Sequence, residues 1–264
     1  MKNFGRWILS TWIASMIFFP SGTYDLVPED LGLSYEAVAL PISHATTLRN
    51  WFLPVPEDKG TLLFLHGNAG NISDRLFKAK GWVERGYSVF LLDYRGYGKS
   101  TGKLHSENDI LQDAREGWNW LTREKKISPD KIILYGESIG SFPAMVLASE
   151  HQARAIILEA PFTSFKDLAP RHYPWVPGLI LDIILRDFEF SNISRVQTLQ
   201  TPLFIMHGTA DEICGYEMGL KLYEKALVTK EFFSVKDGGH NDLPFRAGQD
   251  FWSEPQKFIE AQTR

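Results

Sequence analysis

Ser138 lies in Gly136-Glu-Ser-Ile-Gly140, a G-x-S-x-G sequence that follows the apolar run Lys131-Ile-Ile-Leu-Tyr135 and opens a helix-length stretch, Ser138 to Ser149. A serine hydroxyl is a weak nucleophile unless an adjacent base takes its proton, and that base works best when a third group orients it. Two later segments supply those groups. Leu203-Phe-Ile-Met206 runs into His207-Gly-Thr-Ala-Asp211, and Glu231-Phe-Phe-Ser-Val235 runs into Lys236-Asp-Gly-Gly-His240. Ser138, His240 and Asp211 are thus the residue types of nucleophilic acyl transfer: nucleophile, base and orienting acid.

The glycines around Ser138 have a physical reason. A nucleophile projecting from a tight strand-to-helix turn sits on a strained backbone, with no room for side chains two residues away on either side. Pro143 falls in the first helical turn, where its missing N–H costs little. A plain glycine-rich turn can have the same five residues; the strand before it and the helix after it favour the nucleophile. Asp211 could alternatively cap the next helix, with Glu159 and Glu212 as rival acids, and His240 could be a core or capping histidine. Asn241 or Asp242 reads as the cap of the final helix.

Acyl transfer also needs donors aimed at the developing oxyanion. The run Thr61-Leu-Leu-Phe-Leu65 ends in His66-Gly-Asn-Ala-Gly-Asn71. The backbone N–H of Asn68 and that of Ile139, just after the nucleophile, form the expected pair, and His66 reads as a residue bonding within its loop. The stretch Asp93-Tyr-Arg-Gly-Tyr-Gly-Lys-Ser100 lacks the spacing of a phosphate loop. Asp93 and Arg95 read as residues that fix this loop, and Tyr97 as a candidate substrate contact.

All these residues must be held by one scaffold. Tyr35 to Leu40 and Thr47 to Leu53 alternate apolar and polar residues, as half-buried antiparallel strands do. Thereafter short continuous apolar runs, including Ser88-Val-Phe-Leu-Leu92 and Ala155-Ile-Ile-Leu158, alternate with amphipathic stretches such as Ser73 to Glu84 and Glu107 to Glu124. Strands apolar on both faces and separated by helices imply a parallel sheet covered on both sides, with ligands beyond the carboxyl ends of its strands. Residues 162–196 interrupt this rhythm. Within them Tyr173 to Leu185 reads either as a core helix or as a small cap whose Trp175 and Leu179 wall an acyl pocket.

The net charge of −4, with scattered basic residues, leaves no electrostatic footprint for nucleic acid. Cys214 is the single cysteine, so no intrachain disulfide forms, and His and Cys lack the paired spacing of a metal site. Lys2 and Arg6 precede an apolar run, Trp7 to Phe19, that Pro20 and Gly22 stop. Residues 1–22 therefore form a signal-anchor candidate, with a cleaved signal or a helix packed on the domain as alternatives; the run is short for a hydrocarbon core of ~30 Å. An inserted segment implies a membrane-associated or extracytoplasmic protein, a packed one a cytoplasmic protein.

His66 to Asn71, Asp93 to Gly98, Gly136 to Gly140, Gly208-Thr-Ala-Asp211 and Gly239-His-Asn-Asp242 together resemble the Bem46-like branch of the α/β-hydrolases, and the membrane-anchored ABHD serine hydrolases are similar. The resemblance runs from about Phe19 to the C-terminus. It implies an α/β fold with a predominantly parallel eight-stranded sheet, helices on both faces and a small cap-like insertion, spanning residues 23–264. It also implies a triad on Ser138, Asp211 and His240, which follow in the chain order of that fold, and no cofactor. The early hairpin departs from the family pattern, with Ser43-His-Ala-Thr46 in place of Asp-Gly. The expected function is hydrolysis of carboxylic esters or acyl thioesters, with a small-molecule or lipid-like acyl substrate. An amidase, peptidase or acyltransferase on the same triad is the alternative, and a non-catalytic membrane-bound scaffold a more distant one.

Overall fold

The computed structural model describes residues 14, 15 and 17–262. Most of the apolar N-terminal run, and with it the signal-anchor expectation, lies outside the described residues. Among the described residues no helix is long and apolar enough to cross a membrane.

Eight strands form one sheet: β1 (Glu36–Ser43), β2 (Thr46–Leu53), β3 (Thr61–Leu65), β4 (Ser88–Leu92), β5 (Ile132–Glu137), β6 (Ala155–Glu159), β7 (Leu203–Gly208) and β8 (Lys230–Val235). Their spatial order is β8-β7-β6-β5-β3-β4-β2-β1. The first pair is antiparallel, β2 meets β4 antiparallel, and every other neighbour is parallel. The hairpin closes tightly, with Ser43 opposite Thr46 across His44 and Ala45. In β3 to β7 every residue is buried, whereas β1 buries Val38 and Leu40 between exposed neighbours. Five of the six continuous apolar runs are thus strands covered on both faces; the sixth, β8, stands at one edge with Val235 as its one buried residue, and the alternating β1 stands at the other.

The covering helices are α1 (Leu76–Val83), α2 (Glu107–Asn119), α3 (Ser141–Glu150), α4 (Phe165–His172), α5 (Gly178–Ile184), α6 (Tyr216–Lys225), α7 (Leu243–Ala247) and α8 (Asp250–Ala261). One apolar cluster joins a sheet face to α2, α3 and α6, and the other joins the opposite face to α1 and α8. The N-terminal approach is tied to the site end of the sheet. Phe19–Pro20 pairs in parallel with Ala69–Gly70, and Asn71 Nδ2 donates to the carbonyls of Ser21 and Thr23.

Residues 162–196 leave the sheet after β6 and return at β7, carrying α4 and α5. Asn192, fully buried, pins this segment by donating to Ser141 Oγ and to the Phe162 carbonyl, both at 2.9 Å. The expectation that Trp175 and Leu179 line a pocket is corrected: each is 74 % exposed, and Ile183 is 63 % exposed. Nor is α5 a core helix, since Leu181 is its one buried residue. Gly178-Leu-Ile-Leu-Asp-Ile-Ile184 is apolar nearly all round, so its pattern carries no signal for which side faces inward.

The tightest constraint on the sheet is at its centre. A Cβ on Gly140 would lie 2.0 Å from the Leu65 carbonyl oxygen at the end of β3, and one on Gly136 would lie 2.6 Å from the Gly140 carbonyl. Neither obstacle is a side chain that could swing aside. Gly140→Ala should therefore force backbone displacement and destabilise the fold by roughly 1–3 kcal/mol or more, read as a lower urea midpoint. An unchanged midpoint would mean that the close approach is not present in solution.

Candidate active site

Ser138, His240, Asp211 and the loop carrying Asn68 lie at the carboxyl ends of β5, β8, β7 and β3. Ser138 follows β5 directly and holds φ +50°, a left-handed conformation that is uncommon for a residue with a Cβ. Its cost, of order ~1–3 kcal/mol, is offset by the packing of β5 and α3 on either side. The turn leaves Ser138 half-buried with its hydroxyl outward, between a buried strand and a helix whose residues 141–148 are all buried.

His240 and Asp211 complete a hydrogen-bonded line. Ser138 Oγ stands 3.0 Å from His240 Nε2, and His240 Nδ1 stands 2.8 Å from Asp211 Oδ2. With Nδ1–H donated to the carboxylate, Nε2 is free to accept the serine proton. Glu159, the rival acid, lies away from this line. It is fully buried and bonded to Lys78 Nζ at 2.8 Å and to the Tyr135 hydroxyl at 2.7 Å.

Asp211 is held from several sides. Its Oδ1 accepts the N–H groups of Ile213 and Cys214, each at 2.9 Å, and its Oδ2 also accepts His207 Nε2 at 3.1 Å. Burial works to raise its pKa, but the donors from His207, His240 and the Cys214 backbone hold the carboxyl well below the usual range. On His240, burial disfavours the imidazolium. The hydrogen bond to Asp211, the neighbouring Cys214 side chain and the Asp211 charge outweigh it, and the imidazole is pushed up from its ordinary 6.5 to about 10. A base near pH 6.5–7, the ordinary expectation for a histidine, is thereby displaced to the alkaline side.

Asp242 precedes α7 at its N-cap position, but its side chain does not cap that helix. Its Oδ1 accepts Gly239 N–H at 2.6 Å and its Oδ2 accepts Arg246 Nε at 2.9 Å, which fastens the loop carrying His240.

The loop after β3 faces the serine turn. Among the described residues the Asn68 N–H has no acceptor, and Ile139 lies in the first turn after Ser138, where N–H groups lack intrahelical partners. The Asn68 side chain points the other way, donating to the Ile17 carbonyl. His66 is fully buried, with Nδ1 2.7 Å from the Gly67 carbonyl and Nε2 3.3 Å from Asp93 Oδ1.

Asp93 also accepts Ile72 N–H at 3.0 Å, and Arg95 grips Asp113 and Asp109, so both fix loops as expected. Tyr97 is a correction. It is 1 % exposed, and its hydroxyl donates to the Asn68 carbonyl at 2.7 Å. It supports the loop from beneath and does not face a substrate, because its ring packs against His66 and Tyr94.

Three contributors escaped the sequence reading. His207 stands four residues before Asp211 at the end of β7, so the turn folds both back onto one point; that interval was the available signal. Arg75 and Lys78 reach Glu137, the residue before Ser138, at 2.8 and 2.9 Å. Burial alone would raise Glu137, but these two cations lower it well below its ordinary value. Among the described residues no cluster of His, Cys, Asp and Glu is arranged to hold a metal ion.

A strained serine at the end of a central parallel strand, hydrogen-bonded through a histidine to an aspartate, defines the hydrolase class of this fold. The family described as serine aminopeptidase, S33, matches residues 56–192, just over half of the chain, and the chain belongs to that family. It is 30 % identical over 217 residues to the uncharacterized protein YfhR of Escherichia coli O157:H7, covering 79 % of this chain and 74 % of that protein. It is 34 % identical over 190 residues to the human alpha/beta hydrolase domain-containing protein 17B, covering 71 % of this chain but 62 % of that longer protein. The esterase Pf2001 of Pyrococcus furiosus shares the fold with a TM-score of 0.73 at 19 % identity, covering 94 % of this chain and 98 % of that structure. The protein is an ABHD-like α/β-hydrolase.

The raised pKa of His240 has a direct test. Its imidazole resonances, followed by NMR, should titrate well above 6.5, and Asp211→Asn should move the titration to lower pH by removing the charge that favours the imidazolium. A midpoint at 6.5 that Asp211→Asn leaves unmoved would deny the coupling.

Proposed function

We propose that the protein hydrolyses carboxylic esters or acyl thioesters through an acyl-enzyme on Ser138. The observation that carries this reading is the 3.0 Å approach of Ser138 Oγ to His240 Nε2, with Asp211 2.8 Å behind the imidazole. In the first half-reaction Ser138 Oγ bonds to the acyl carbon while its proton passes to His240 Nε2, and the carbonyl oxygen becomes an oxyanion facing the N–H groups of Asn68 and Ile139. Collapse breaks the bond to the leaving oxygen or sulfur, which takes the proton from His240. Water then repeats the sequence on the acyl-enzyme, giving its proton to His240, and releases the acid and the serine.

The alternative of peptide cleavage, open from the sequence, is supported by the family's description. An aminopeptidase needs a free carboxylate near the nucleophile for the substrate's ammonium group. Glu137 and Glu159, the carboxylates at the ends of β5 and β6, are both already paired with Arg75 or Lys78. Neither of these two carboxylates is therefore free to receive a substrate's ammonium group. The Pyrococcus esterase, a relative in fold, supports the ester reading.

Membrane association through residues 1–22 belongs to the same proposal. It is supported by the basic and apolar sequence there, and by the exposed Trp175, Leu179 and Ile183 on the inserted segment. Recovery of the full-length protein from a cell lysate without detergent, with no binding to phosphatidylcholine vesicles, would overturn that part alone.

Ser138→Ala should abolish both turnover of p-nitrophenyl esters and labelling by a fluorophosphonate, with a loss on the order of a million-fold in kcat. Asp211→Asn should lower kcat by roughly 10⁴. A covalent adduct on the Ser138→Ala protein would place the nucleophile elsewhere. For the wild type, neutral His240 is the active form, so kcat/KM should rise with pH and still be climbing between about pH 7 and 9. A flat profile across that interval would reject the raised pKa of His240, and a profile flat from acid to alkaline pH would reject the histidine base. Because Trp175 faces solvent, Trp175→Ala should leave acetate ester hydrolysis by the dissolved protein unchanged.

A further inference from the structure

Two N–H groups on separate segments must face one oxygen atom. Asn68 belongs to the loop after β3, and Ile139 to the turn after β5, so neither segment alone sets the distance between them. One side chain reaches both. Arg75, at the end of the short 3-10 turn (Ile72–Arg75) that precedes α1, donates from Nη1 to the carbonyl of Ala69 at 2.7 Å and to that of Asn71 at 3.3 Å. From the other side of the same guanidinium, Nη2 donates to Glu137 Oε1 at 2.8 Å and Nε to Oε2 at 3.4 Å. Ala69 follows Asn68, and Glu137 precedes Ser138.

The grip continues along α1. Lys78 Nζ donates to Glu137 Oε2 at 2.9 Å and to the two oxygens of Glu159 at 2.8 and 2.9 Å, so it links the ends of β5 and β6. Tyr135 closes the cluster by donating to Glu159 Oε2. The loop is drawn hard against this cluster, since a Cβ on Gly67 would lie 2.7 Å from Glu137 Oε1.

Stability does not account for this arrangement. Two cations and two carboxylates are almost wholly withdrawn from water, with side-chain exposures of 11 % for Arg75 and Glu137, 13 % for Lys78 and 1 % for Glu159. Withdrawing such charges is costly, and well-packed apolar side chains in their place are often at least as stable. What an apolar cluster cannot do is fix two backbone segments at a set spacing. A planar guanidinium with five N–H groups in rigid directions does that, and a point charge on a flexible stem does it poorly.

We infer that Arg75, through Glu137 and the carbonyls of Ala69 and Asn71, is the positioning residue that holds the two oxyanion donors at their working separation. This rests on the oxyanion role proposed above for Asn68 and Ile139. Those donors act mainly in the transition state, so a change in their spacing falls on kcat and spares KM. Arg75 touches neither His240 nor Asp211, so it leaves the pH dependence of the base alone.

Arg75→Lys keeps the charge and loses the fork. Measured on the full chain, this variant should lower kcat for a p-nitrophenyl ester on the order of 10- to 100-fold, below the 10²–10³-fold cost of losing an oxyanion donor outright. KM should stay within about twofold and the pH limb should not move. Binding of a trifluoromethyl ketone, which forms an oxyanion on the serine, should weaken by the same factor as kcat.

A wild-type kcat in Arg75→Lys would overturn the inference, as would a lower kcat with undiminished ketone affinity. A variant with a lowered melting temperature but full kcat while still folded would mark Arg75 as merely structural and equally overturn it. Ser138→Ala is measured alongside. If it retains turnover, the acyl-enzyme reading fails and this inference with it. If it loses turnover while Arg75→Lys keeps full kcat, the positioning role fails alone.

Discussion

The close approach of Gly140 to the end of β3 is the constraint on which the site depends. Space of 2.0 Å at the Leu65 carbonyl admits no side chain, and it brings the turn after β5 against the loop after β3. That contact brings the segment carrying Ile139 against the one carrying Asn68. It also pushes Ser138 into a left-handed backbone, because the chain must reverse from strand to helix within three residues. The strain is affordable because β5 and α3 are buried along nearly their full lengths, which leaves the turn no alternative path.

A second organising feature is the crowding of donors on Asp211. Four groups share its two oxygens, and two of them, His207 and His240, meet on Oδ2. The carboxylate is thereby kept ionised despite burial, and its charge is in part neutralised by donors other than His240. The balance matters for the chemistry. A carboxylate committed to His240 alone would favour the imidazolium still more strongly and weaken the histidine as a base near neutral pH.

Polar and apolar groups divide the molecule unequally. Beneath the serine turn, charges are gathered and paired in the Arg75–Glu137–Lys78–Glu159 cluster, while the two faces of the sheet are filled with aliphatic and aromatic side chains. The inserted segment reverses the pattern, with tryptophan, leucine and isoleucine turned outward. It is held by Asn192 and by the packing of Phe162, Phe188 and Phe190 at its two ends. Paired charges are therefore concentrated beneath the serine turn, and exposed apolar side chains on the inserted segment.

Much of this organisation is written locally. Continuous apolar runs identify the buried strands, since only a strand covered on both faces can bury consecutive side chains. Glycine at 136 and 140 identifies the serine turn, because only a residue without a Cβ fits there. Asp211 and His240 could be named because each follows an apolar run, and the ends of parallel strands are brought together by the sheet itself. The sequence could not say which way Trp175, Leu179 or Tyr97 would point. An apolar helix without a polar face has no preferred side, and a tyrosine in a loop serves equally well as support or as lining. Nor could it show that Arg75 and Lys78 meet Glu137, some sixty positions away along the chain. Residue type and spacing determined the chemistry available to this protein. The tertiary packing decided its alignment, because distances between segments far apart in the chain are set by what fills the space between them.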